Sequence, residues 1–143
     1  MRRGMRGKIL LIAALLLWTL LVRVLAGCSV TKENQDKVRD LQFTVVGEQE
    51  LPEELKNLVT EKKTAPFKLT YSNDGGLFIA VGYGEQPTGG YSIAVNELYL
   101  TENSIVIDTE LKGPEKGEDA GAEKSYPYIV IQTEYLENPV IFQ

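Results

Sequence analysis

The sequence predicts a mainly β domain with one helix, an α+β fold of roughly five to seven strands built as a small antiparallel β-sandwich or a partly open barrel. Three observations carry that expectation. Apolar residues alternate with polar ones through Leu41–Val45, Phe67–Tyr71 and most of Tyr91–Leu111, the two-residue period of a half-buried strand. The helical spacing is read at one place, where Leu51, Leu55, Leu58 and Val59 fall at i, i+4, i+7 and i+8. Glycine-rich and Asn/Asp-rich clusters separate the periodic segments, as hairpin connections require.

Taken in order, Leu41, Phe43 and Val45 predict a first strand with that face inward. The helix should follow from Leu51, with Pro52 in its first turn, Glu53 and Glu54 beside the positive dipole end and Lys62 and Lys63 in the last turn. Pro66 stops it. Phe67, Leu69 and Tyr71 then form one face of a strand that turns at Ser72-Asn73-Asp74-Gly75-Gly76. Two segments, Gly75–Val81 and Gly89–Val95, share a Gly-Gly start and an Ile-Ala-Val end; their fourteen-residue offset is too short for a repeat unit, so they read as two similar strands. Between Val95 and Leu98 the buried phase changes, which predicts a β-bulge near Asn96. Ser104–Leu111 gives another strand, 112–125 a long exposed loop, Tyr126–Tyr135 a strand and Val140–Phe142 a short apolar end.

Composition excludes several chemistries. With no histidine and one cysteine, the chain cannot hold a Ser-His-Asp or Cys-His site, a histidine metal centre or an intrachain disulfide. No acid spacing marks a calcium loop or a glycosidase pair, so no catalytic residue, metal or cofactor is expected. Acidic balance and the lack of basic-aromatic patches argue against nucleic acid.

At the start, Arg2, Arg3, Arg6 and Lys8 precede an apolar run from Ile9 to Val22, the pattern of a secretory signal. As a helix that run would cover about 21 Å, short of a hydrocarbon core of about 30 Å. Leu25-Ala26-Gly27-Cys28 resembles the lipobox of bacterial lipoproteins. That resemblance implies cleavage after residue 27, diacylglycerol on Cys28 and a membrane-anchored protein on the extracytoplasmic face. Arg23, five residues before Cys28, leaves open an uncleaved anchor, which also puts the domain outside. The expected organisation is a signal peptide at 1–27, a polar tether at 28–40 and one domain at 41–143. Residues 28–143 carry ten basic against twenty acidic side chains, a net charge of −10.

The densest local chemistry is Gly82-Tyr83-Gly84-Glu85-Gln86-Pro87-Thr88-Gly89-Gly90-Tyr91. It lacks the Gly-Lys-Ser/Thr of a phosphate cradle and the third glycine of a dinucleotide turn. It does have the materials of a protein contact: tyrosines with large rigid area, and glycines that bring backbone amides close to a partner. Tyr83, Gly84, Pro87, Thr88, Gly89, Gly90 and Tyr91 are therefore the candidate partner-binding residues. The plain alternative is a glycine-rich connection that only turns the chain.

This segment, with Leu51-Pro52-Glu53-Glu54-Leu55 before it and Asn96-Glu97-Leu98-Tyr99, Pro114-Glu115-Lys116-Gly117 and Tyr126-Pro127-Tyr128-Ile129-Val130 after it, resembles the C-terminal domain of the protease complex subunit PrcB family. The resemblance implies a non-catalytic domain, a protein partner and an accessory or assembly role beside a surface protease. Thr88-Gly89-Gly90-Tyr91 also looks like the loop that chagasin-type inhibitors insert into a cysteine-protease cleft, which implies the alternative of a direct protease inhibitor.

Overall fold

The computed structural model describes residues 36–143. The expected signal segment, Cys28 and most of the expected tether lie outside the described residues. Among the described residues, eight strands form two four-stranded sheets, with one α-helix and one short 3₁₀ turn. The strands are β1 (Lys37–Asp40), β2 (Phe43–Val45), β3 (Pro66–Asn73), β4 (Gly76–Tyr83), β5 (Ser92–Thr101), β6 (Ile105–Lys112), β7 (Tyr128–Thr133) and β8 (Val140–Phe142). One sheet has the order β1-β5-β6-β8 and the other β2-β7-β4-β3. All pairings are antiparallel except β6 with β8, which is parallel. The fold is the expected α+β sandwich, open rather than a closed barrel.

Helix α1 (Glu53–Lys62) makes a third layer, because two apolar clusters lie on opposite faces of the β2-β7-β4-β3 sheet. Leu77, Ile79 and Ile131 meet Leu98, Ile105 and Ile107 of the other sheet, with Leu41 closing one side. Phe78, Ala80 and Val130 face the other way, toward Leu51, Leu55 and Val59 of the helix and its entry. Strand β4 is consequently buried on both faces, which explains its unbroken apolar run. Each fully buried isoleucine of the sandwich contributes about 1.5–3 kcal/mol of apolar burial.

Most expected elements appear with small changes. The helix ends at Lys62 as its lysines foretell, but Pro52 stands just before the first helical residue rather than inside the first turn. The β3–β4 hairpin turns through Asp74 and Gly75, with Asn73 Oδ1 accepting the Gly75 N–H at 2.8 Å and Gly76 at φ 127°. The bulge is found where the phase change put it: the β5–β6 register shifts between Val95 and Glu97.

Three expectations need correction. The tether was expected to run to Asp40, yet Lys37–Asp40 forms β1, held by pairing with Tyr99–Thr101 of β5 rather than by any apolar face of its own. It takes the strand count to eight. Phe43 and Val45 form a strand but are exposed, at 38% and 56%, because β2 is an edge strand whose inward side is not covered; Leu41 is the buried member of that trio. The 112–125 segment does project from the sheets, but its far end is docked, as the site shows.

Candidate functional site

The glycine-rich segment divides in two. Gly82 and Tyr83 close strand β4, and 84–91 form the loop to β5. Gly82 sits opposite Phe67 of β3, whose ring lies over it; a Cβ at Gly82 would stand 2.1 Å from Phe67 Cε1. Tyr83 points into the gap between the sheets, and its hydroxyl lies 2.9 Å from both the carbonyl oxygen and Oγ1 of Thr109 on β6. That tyrosine ties the two sheets together at the root of the loop. Gly84 is buried at φ 72°, where a Cβ would press on Pro66 at 2.8 Å.

The rest of the loop is braced by the β6–β7 connection. Gln86 and Ser125 exchange both backbone hydrogen bonds, at 2.8 and 3.1 Å, as an isolated antiparallel bridge. Gly89 donates its N–H to the Ala120 carbonyl at 3.0 Å, and Ser125 Oγ donates to the Thr88 carbonyl at 2.6 Å. Glu85 pairs with Lys124 at 2.7 Å and accepts from the Tyr126 hydroxyl at 3.2 Å. The Lys124 hydrogen bond is the main reason the Glu85 carboxyl is held below its ordinary value, with its charge and Tyr126 adding to it.

These contacts give the glycines a specific reason. A Cβ on Gly89 would lie 2.9 Å from the Ala120 carbonyl oxygen; one on Gly90, at φ 76°, would lie 2.9 Å from Pro114 Cβ. The close approach that the glycines permit is to the neighbouring loop. The amides of Gln86 and Gly89 are spent on that brace. What faces solvent is Pro87 and Gly90, with half-buried Thr88 and Tyr91 beside them; the Tyr91 ring lies near Gly113.

The structure therefore gathers Pro87, Thr88, Gly89, Gly90 and Tyr91 at one end of the sandwich and leaves Tyr83 and Gly84 as the packed base. Sequence reasoning missed Ala120, Lys124, Ser125 and Tyr126. No spacing links them to the first loop; the three glycines and the proline of the second loop were their only signal. The bonds of Gln86, Thr88 and Gly89 to the second loop make the knuckle preorganised.

Comparison with known proteins gives one family model, described as PrcB C-terminal, which matches residues 77–134. The match runs from β4 to just beyond β7 and so contains both loops. It supports the domain resemblance over those residues. No curated protein and no solved structure matches the chain.

Proposed function

We propose that this protein is a lipid-anchored, extracytoplasmic accessory subunit that binds a protein partner, a surface protease it helps to assemble, through the outward side of the 84–91 loop. One observation carries the reading: the loop is fixed before any partner arrives, by the Gln86–Ser125 bridge and the Gly89–Ala120 bond, so Pro87, Gly90 and Tyr91 bind without a large ordering cost. Tyr91 supplies apolar area and a hydroxyl, the combination favoured at the centre of protein contacts. The family match over both loops supports a subunit role.

The test is capture from cross-linked cell envelopes with wild-type protein and with Tyr91→Ala and Thr88→Ala. Loss of one specific partner in the Tyr91 variant is expected; recovery of every partner from both variants would remove the loop from the contact. Titrating the purified protein against a panel of proteases separates an assembly subunit, which need not slow peptide cleavage, from a direct inhibitor. Palmitate labelling of wild type and Cys28→Ser checks the anchor: label is expected on the first and absent from the second.

A further inference from the structure

Strand β3 ends its sheet, and among the described residues no strand pairs with its outer backbone edge in the order β2-β7-β4-β3. Which residues face outward follows from the ladder. Tyr83 donates its N–H to Pro127, on the β7 side of β4, so Tyr83 and its opposite residue Pro66 turn their backbone groups away from each other. A second bond agrees. Val46 donates to the Val130 carbonyl, which turns Val130 toward β2 and its β4 neighbour Ala80 toward Leu69 of β3. Phe67, Leu69 and Tyr71 are thus bonded to β4, while the N–H and C=O groups of Lys68, Thr70 and Ser72 point outward. Pro66 shares their outward phase, the place where a strand proline forfeits no ladder bond.

The same three side chains face the other sheet, as Lys68 Nζ shows by lying 5.5 Å above the Phe142 ring of β8. Being polar, they do not close the gap between the sheets. An open groove of about 570 Å³ remains there, lined among others by Pro66, Val81, Gly82, Tyr83, Thr109 and Gln143. Lys68 stands at its rim, and Lys62 and Lys63 precede Pro66 in the chain. None of these three lysines is in an ion pair among the described residues. Lys68 thus sets a positive charge at the groove on a domain whose balance is strongly acidic.

We propose that an extended segment of the partner protein adds to β3 as a fifth strand, with an apolar side chain seated in the groove and an acidic side chain against Lys68. The inference deepens the partner-binding reading on which it rests, and Tyr83 joins the two surfaces, since it lines the groove and leads into the loop. Main-chain bonds from Lys68, Thr70 and Ser72 would supply affinity, and the groove and the lysine selectivity. A second copy of this chain is the poorer occupant, because edge-to-edge pairing would bring two sets of lysines and two prolines together, the residues that protect sheet edges from their own kind.

The experiment selects binders from a random peptide library with the full-length protein in detergent, then measures their affinity for variants whose circular dichroism matches wild type. Recovered peptides should alternate apolar residues around an acid. They should bind about tenfold or more weakly to Thr70→Pro, which blocks the edge without costing a bond to β4, and to Lys68→Glu, which needs no backbone change. Thr70→Val, which keeps the N–H, should bind as wild type. Tyr91→Ala should also leave peptide binding intact, so a failure of the loop reading and a failure of this one are seen separately. Recovery of no peptide, undiminished wild-type affinity for Thr70→Pro and Lys68→Glu, or loss of binding in Tyr91→Ala overturns the proposal. So does concentration-dependent self-association abolished by Thr70→Pro, which would give the edge to a second copy.

Discussion

Gly82 offers a sharp test of how the site is seated, because two opposed effects meet there. Replacing glycine by alanine inside a strand ordinarily stabilises by about 0.5–1 kcal/mol through the unfolded chain. Here the new methyl would lie 2.1 Å from Cε1, 2.5 Å from Cδ1 and 2.9 Å from Cζ of Phe67. The ring cannot swing clear, since Phe67 is 9% exposed and packed in the cluster beneath helix α1. Overpacking of this kind costs about 1–3 kcal/mol and should win. Phe67→Ala alone should cost about 3–5 kcal/mol through the cavity it leaves. Combined, the two changes should interact: once the ring is gone the methyl meets empty space, so the double variant should be more stable than the sum by about 1–3 kcal/mol, the overpacking cost that is relieved. Urea unfolding followed by far-ultraviolet circular dichroism measures all four species. Additivity within about 0.5 kcal/mol would mean that the ring and the glycine do not share that volume, and the account of the loop's base would be wrong.

Other expectations can be checked alongside. The hydrogen bond to Lys124 holds the Glu85 carboxyl below its ordinary 4.5, so the folded form binds that proton more weakly than the unfolded form; the brace it provides is present above 4.5 and lost as pH falls through the folded value. With the intrinsic exchange rate divided out, the protection of the Gln86 and Gly89 amides should therefore fall on acidification below 4.5 in wild type, and Glu85→Gln should remove that fall in protection. Ser125→Ala deletes the bond to the Thr88 carbonyl and should cost about 0.5–1.5 kcal/mol, read as faster exchange of the Gly89 amide. Leu55→Ala, at a fully buried helix position, should lower unfolding free energy by about 2–5 kcal/mol; a smaller loss in denaturant titration would show that the helix layer is not tightly seated.

What the sequence disclosed and what it hid divide along a physical line. Asn96 was legible because a bulge shifts the phase of burial for every later residue in the strand, and Leu98 and Leu100 carry that shift in plain view. The helix was legible because Leu51, Leu55 and Val59 share one face. Strand β1 was not: Lys37-Val38-Arg39-Asp40 has no apolar period, and only its pairing with β5 makes it a strand. Phe43 and Val45 misled because alternation specifies a face and not what covers it. At the site, Gly89 and Gly90 announced a close approach without naming Ala120 and Pro114, which lie far along the chain and carry no matching pattern.

The position of β7 has a consequence for how the chain assembles. That strand lies between β2 and β4 and carries Val130 and Ile131, one for each apolar cluster. A nascent polypeptide lacking Tyr128–Thr133 would have its early edge strand, its helix seat and its hairpin all waiting for a central plank that emerges late. Such long-range dependence makes for slow, all-at-once collapse once the last strands are present.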